Sequence, residues 1–182
     1  MKIVGIGMWR AAGMLAAALS TGCPGPVQRP DGGSGLLPVG AVAPEVVGQD
    51  PAGRDVGVDA LRGHPIVVYF YPKDGSPACT HEACAFRDVW KRYEEAGVAV
   101  IGVSRDSAES HAAFLRDEHL PFALASDPSG EVATSYGVRK FLWGEDRVTF
   151  LVDRSGRVAR VWPSVDPGTH AHEVIEAARA LP

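Results

Sequence analysis

The segment SPACTHEACAF, Ser76 to Phe86, carries two of the three cysteines in this 182-residue chain. Four residues separate Cys79 from Cys84. That spacing exceeds the C-x-x-C of a dithiol redox pair and is an unusual way to hold zinc with two thiolates. Position along the chain says more. The segment follows directly on the apolar run PIVVYFY, Ser76 stands at a helix start, Pro77 suits the first helical position and Cys79 falls at the third. First-turn N–H groups have no partners inside a helix, and the dipole there favours an anion. A thiol at this place carries more thiolate, the nucleophilic form. Glu82, one turn on, opposes that effect, so a cation is wanted nearby.

Helical spacing separates the two sulfurs. Cys79, Ala83, Phe86, Trp90 and Tyr93 step by four and three and form one apolar stripe. Cys84 lies about 140° round the helix from Cys79, with the two Cα atoms roughly 8.7 Å apart. A disulfide needs about 4.4–6.8 Å. The pair cannot bond while the helix is intact. C-x4-C thus reads as two thiols that react in sequence, with local unwinding between the steps. The plain alternative is two buried, unreactive cysteines; a structural disulfide is disfavoured by the spacing.

The elements that must position these residues alternate. AVAPEVVGQDPAGRDVGV predicts two short strands around a turn at Asp50–Gly53, a hairpin that caps a sheet. Pro65–Tyr71 and Val98–Ser104 are near-continuous β-branched and aromatic runs, the mark of strands buried on both faces. Helical patterns cover 77–96, 107–118 and 170–181, with a helical turn near 131–136 and a short FALAS strand before it. RVTFLVD and RVARVW form a second hairpin turning at Arg154–Gly156. This order gives a central mixed sheet flanked by helices, an α/β arrangement of thioredoxin-like type with an N-terminal β-hairpin extension.

Composition bounds the partners. A formal charge of −4 and ordinary globular content exclude an electrostatic footprint for nucleic acid. Residues 1–22 have two positive charges, no acid and a short apolar run, a secretory signal pattern too short for a comfortable transmembrane helix. STGC resembles a bacterial lipobox, with Leu19 four residues before the cysteine rather than three. Cys23 is then the lipidated first residue of an exported, membrane-anchored protein facing the periplasm or cell exterior; a soluble periplasmic protein is the alternative. Residues 23–38, with four Pro and four Gly, read as a flexible tether of roughly 20–24 Å coil reach. The folded domain spans 39–182. With Cys23 assigned to the anchor, Cys79 and Cys84 remain as a pair in an oxidising compartment.

VVYFYPKDGSPACTHEACAFRD resembles the active-site segment of a peroxiredoxin of the bacterioferritin-comigratory (Q-type) subgroup. Pro72, Ser76, Cys79 and Cys84 match that family's proline, hydroxyl residue, peroxidatic cysteine and resolving cysteine. Arg147, in RVTFLVD, matches its active-site arginine. The resemblance runs from about Gly40 to the C-terminus. It implies a thiol peroxidase acting on hydrogen peroxide and organic hydroperoxides. Cys79 becomes a sulfenic acid, Arg147 stabilises the thiolate and orients the peroxide, and Ser76 with the N–H groups of Ala78 and Cys79 bonds the peroxide oxygens. Pro72 and Pro77 shape the loop. Cys84 then forms the Cys79–Cys84 disulfide, which a thioredoxin-like dithiol protein reduces. The resemblance implies no metal, haem or flavin cofactor, and a monomer.

Plainer assignments stand beside these. Arg92, Arg139, Arg154 and Arg157 read as surface residues, as a strand-start arginine such as Arg147 usually is, and Ser76 suffices as a helix cap. Trp143 reads as a loop anchor, and His81, His111, His119, His170 and His172 as residues of solvated helix faces. The rival functions are an exported thioredoxin-fold copper chaperone and a tethered thiol–disulfide oxidoreductase. The chaperone's cysteines are three residues apart, and the oxidoreductase needs C-x-x-C.

Overall fold

The computed structural model describes residues 25–182. The signal segment and Cys23 lie outside the described residues. Of the helices described, none is long and apolar enough to cross a membrane.

In chain order the elements are β1 (Val47–Gln49), β2 (Asp55–Gly57), β3 (Ile66–Phe70), α1 (Pro77–Asp88), α2 (Trp90–Ala96), β4 (Ala99–Ser104) and α3 (Ala108–Asp117). Then follow β5 (Ala123–Ser126), α4 (Glu131–Ser135), β6 (Lys140–Phe141), β7 (Gly144–Glu145), β8 (Val148–Val152), β9 (Val158–Trp162) and α5 (His170–Arg179). Seven strands make one mixed sheet in the order β2-β1-β5-β4-β3-β8-β9, while β6 and β7 form a separate hairpin. β3 runs parallel to β4 and antiparallel to β8, so the strand that leads to Cys79 sits beside the strand that follows Arg147. Phe70 pairs with Val148, which brings the end of β3 to the start of β8.

The β3 residues are all buried, and alternation sends them to two cores. Val67, Tyr69 and the following Tyr71 join the side chains of α1, α2, α3 and α5. Ile66, Val68 and Phe70 join those of α4 and the N-terminal segment. Two-sided burial explains the unbroken apolar run. On the first face, Phe86 of α1 lies against Tyr69 at 5.1 Å between centroids and against Tyr93 at 5.7 Å. Burying rings of this size fixes the rotation of α1, and hence where Cys79 points.

Two expectations are corrected. The helical pattern over 77–96 is two helices, joined at Val89, whose φ of −108° and ψ of 12° leave the helical range. The apolar stripe survives the joint: Cys79, Ala83, Phe86 and Tyr93 are buried and Trp90 is half-buried. Nor does Val39 mark the start of contacts with the domain. Gln28 bridges Ser34, the Arg29 guanidinium donates to the Gly35 carbonyl at 2.7 Å, and the Leu37 N–H donates to Tyr136 O at 2.9 Å. Leu37 is buried in the second core. Arg29 folds this Pro/Gly-rich stretch on itself by gathering its carbonyls, and the apolar Leu37 anchors the end of the stretch on the domain.

Candidate active site

The chain leaves β3 at Tyr71 and enters α1 six residues later. Ser76 is the extended residue before the helix, Pro77 opens it, and Cys79 occupies the third position, buried at 2% exposure. The sequence places all three correctly. Ser76 is not a side-chain cap, however: its hydroxyl donates to the Lys73 carbonyl at 3.1 Å instead of accepting from the first turn. The bond folds the loop back on itself and leaves the first-turn N–H groups free of the Ser76 side chain.

Arg147 lies just before β8 and reaches across to α1. One amino group donates to the Cys79 Sγ at 3.1 Å, and the other is hydrogen-bonded to the Glu82 carboxylate. Glu82 is completely buried. Burial pushes its carboxyl up to about 7, against the pull of Arg147. For Arg147 burial works against the charge, but Glu82 and Cys79 outweigh it and hold the guanidinium protonated. The cation that Glu82 called for is therefore in contact with both partners. The other candidate arginines stand elsewhere: Arg139 pairs with Asp146, Arg92 with Glu176, and Arg154 and Arg157 with backbone carbonyls.

The loop between β3 and α1 is pinned from two sides. Asp74 accepts from the Tyr71 hydroxyl at 2.7 Å and the Ser110 hydroxyl at 2.7 Å, and its other close partner is His111 Nδ1 at 2.8 Å. Burial raises the Asp74 carboxyl, but its His111, Tyr71 and Ser110 hydrogen bonds hold it below the usual range. The Asp74 N–H donates to Asp106 at 2.8 Å. On the other side, Gly144 packs on Pro72 so closely that a Cβ there would lie 2.5 Å from the Pro72 carbonyl oxygen. Pro72 itself is half-buried and carries the loop toward Ser76.

Cys84 is half-buried, and neither Cys79 nor Cys84 is in a disulfide. Its Sγ donates to Glu118 Oε2 at 3.5 Å. Two histidines assigned to solvated faces are in fact buried: His111 in the loop network, and His170, whose Nε2 lies 2.7 Å from Thr149 Oγ1. His81, His119 and His172 are exposed as expected. Trp143 is 72% exposed at the tip of the β6–β7 hairpin, where its ring meets only Phe141 edge-on, so it anchors no loop in the core. Asp74, His111, Gly144 and Glu118 escaped the sequence because the contacts Asp74–His111, Cys84–Glu118 and Gly144–Pro72 span 34 to 72 positions with no local pattern. Among the described residues no cluster of His, Cys, Asp or Glu could hold a metal ion.

A cysteine at a helix N-terminus on this sheet, with an arginine on its sulfur and a buried glutamate behind it, defines an oxidoreductase of the thiol peroxidase class. The AhpC/TSA family matches residues 39–161. A Coxiella burnetii protein named as a peroxiredoxin bcp is 41% identical over 146 residues, 76% of this chain and 97% of that one. Chloroplastic peroxiredoxin Q of Sedum lineare is 39% identical, covering 78% of each chain. Among solved structures, peroxidoxin BcpB of Mycobacterium tuberculosis aligns at a TM-score of 0.72 with 30% identity, over 79% of this chain and 97% of that one. The bacterioferritin comigratory protein of Xanthomonas campestris aligns at 0.67 with 32% identity, over 74% and 90%. The chain belongs to the AhpC/TSA family and is a peroxidase of its peroxiredoxin Q type.

Proposed function

We propose that the protein reduces hydrogen peroxide and organic hydroperoxides by a two-cysteine cycle within one chain. The observation that carries the proposal is the contact of Arg147 with Cys79 and Glu82 together. A fixed cation on the sulfur favours thiolate and leaves its remaining donors for the oxygens of an approaching peroxide. The Cys79 thiolate attacks one oxygen, the O–O bond breaks, and the departing oxygen leaves as water or an alcohol after taking a proton. Cys79 is left as sulfenic acid. The similar Xanthomonas campestris protein is described as having alkyl peroxide reduction activity, which supports extending the substrate class to organic hydroperoxides here.

Cys84 then resolves the sulfenic acid once the first turns of α1 unwind. A dithiol protein of thioredoxin type restores both thiols. Mass spectrometry after one equivalent of peroxide tests the cycle. The wild type is expected to yield the Cys79–Cys84 disulfide, Cys84→Ser to stop at sulfenic acid or an intermolecular disulfide, and Cys79→Ser to consume no peroxide. Equal first-turnover rates in wild type and Cys79→Ser would remove Cys79 from its role. Neither rival function gains support from the site: the arginine on Cys79 would repel a copper ion, and no C-x-x-C exists for disulfide exchange.

We further propose export with a lipid on Cys23. Gly35 already packs against Gly137, so at most roughly 43 Å of extended chain would separate the anchor from the domain. Detergent-phase partitioning of the native protein, lost in Cys23→Ser, is the expected outcome. A mature N-terminus at any other residue would overturn it.

A further inference from the structure

The resolving sulfur has a partner outside the chemistry described above. Glu118 caps the C-terminus of α3, where its own N–H donates to Phe114 O at 3.1 Å. Its carbonyl accepts from Arg87 Nη1 at 2.7 Å, and its carboxylate accepts from Cys84 Sγ at 3.5 Å. Cys84 and Arg87 are three residues apart and share one side of α1. Two consecutive positions on that side therefore grip the main chain and the side chain of a single residue on α3.

We propose that Glu118 is a positioning residue for the resolving step: it anchors Cys84 as a protonated, unreactive thiol for as long as α1 stays folded. The proposal rests on the two-cysteine cycle. The charged groups that face the sulfur are Arg87 and Asp88 on α1 and Glu118 on α3. Burial is the largest influence and pushes the thiol up; Arg87 opposes it, while Glu118 and Asp88 add to it, and the net direction is upward. A neutral thiol is a poor nucleophile. In the folded helix Cys84 does not compete with Cys79 for peroxide, nor does it react with other oxidants.

Unwinding undoes the arrangement. Cys84 leaves the Glu118 carboxylate and loses the acceptor that favoured its S–H form. Its sulfur bonds to the Cys79 sulfur as the S–O bond of the sulfenic acid breaks. The departing hydroxide takes up the proton given by the Cys84 thiol, and water is released. Peroxide has already supplied the oxidation, so the step needs no further oxidant.

The test uses the full chain carrying Cys79→Ser, with iodoacetamide alkylation of Cys84 followed by mass spectrometry across pH. Glu118→Gln removes the charge and keeps the shape. It is expected to speed alkylation several-fold at neutral pH and to move the whole profile to lower pH. Asp117→Asn removes the neighbouring exposed charge and is expected to leave the profile in place. An unchanged profile in Glu118→Gln, with a melting temperature showing an intact fold, would overturn the proposal. So would an equal displacement by Asp117→Asn, since bulk charge would then account for it. Where Glu118→Gln itself melts early, Glu118→Asp retains the charge but shortens the reach, and must also speed alkylation for the proposal to hold. Alkylation never passes through the disulfide. A displaced profile together with no Cys79–Cys84 disulfide in the otherwise unmodified protein would overturn the cycle, not the contact.

Discussion

Arg147 holds the Cys79 sulfur and the buried Glu82 carboxylate with the two ends of one guanidinium fork. The geometry makes it both a chemical and a structural residue, and the two roles separate by experiment. Losing one preorganised donor of this kind costs about 10²–10³-fold in rate. Arg147→Ala is expected to slow the first oxidation by about that factor in stopped-flow measurements. Arg147→Lys should recover only part, because a single ammonium cannot span both partners. Removing one member of a buried pair also costs about 3–5 kcal/mol. The alanine variant should therefore melt lower, and adding Glu82→Gln should restore stability without restoring rate. Restored rate in the double variant would show that Arg147 acts only by neutralising Glu82.

Gly144 tests whether the hairpin β6–β7 sets the position of the active-site loop. A methyl group there meets Pro72 backbone at 2.5 to 3.1 Å, which neither segment can absorb by a side-chain rotation. Gly144→Ala is expected to displace Pro72 and lower the rate of Cys79 oxidation at least tenfold, as misplacement by about 1 Å does in positioned sites. Gly53 is a useful control, since a Cβ there meets nothing within 4 Å. Its φ of +74° makes Gly53→Asn the suitable exchange. That variant should keep full activity. Equal rates in Gly144→Ala and wild type would detach the hairpin from the site.

Local chemistry made most of this legible from sequence alone. The Pro77 opening of α1, the run in β3 and the turn at Arg154–Gly156 follow from propensity and period, and each stands where expected. The need for a cation follows from a first-turn thiolate beside Glu82, and Arg147 meets it. What escaped depends on contacts made only after folding. Nothing near His111 or His170 marks them as buried, since each fits an amphipathic helix as a polar residue. Only the partners Asp74 and Thr149, far off in sequence, admit them to the core. The Pro/Gly-rich stretch likewise conceals Leu37, whose single apolar side chain suffices to dock it.

His170 bears on acid stability. Burial, aided by the charge of Arg147, lowers its pKa to about 4. The folded state therefore keeps the ring neutral while the unfolded chain protonates near pH 6.5. The stability this contributes is complete above pH 6.5 and is lost as pH falls toward 4, on the order of 3 kcal/mol in all. His170→Gln is expected to be less stable at pH 7, where it loses packing against Phe86 and Trp162. The gap between its denaturant midpoint and that of wild type should close as pH falls from 6.5 to 4. Parallel slopes in urea titrations of the two proteins would assign the acid sensitivity to other groups.

Glu145 has the opposite sign. It is fully buried on β7, and neither carboxylate oxygen has a hydrogen-bond partner. Burial pushes its pKa up to about 9; Asp127 and Asp106 add to the rise, and Arg105 and Lys140 oppose it. An acid raised this way binds its proton more tightly in the folded state. Its contribution to stability is complete below about pH 4.5 and is lost as pH rises through 9. By pH 7 the loss is on the order of 3 kcal/mol relative to pH 4.5. Glu82, raised to about 7, adds a loss of the same sign up to that pH. Between pH 4.5 and 6.5 His170 offsets only one of the two glutamates, so the three together should make stability fall as pH rises, by about 1.4 kcal/mol per pH unit. Between pH 7 and 9 Glu145 acts alone of the three, and stability should fall as pH rises. Glu145→Gln keeps the shape without the ionisation, and should be more stable than wild type at pH 8 and flat from 7 to 9. Urea midpoints at pH 7, 8 and 9 decide it. A variant that loses stability at pH 8, or keeps the wild-type slope, would mean that Glu145 is ionised and paired in the folded protein.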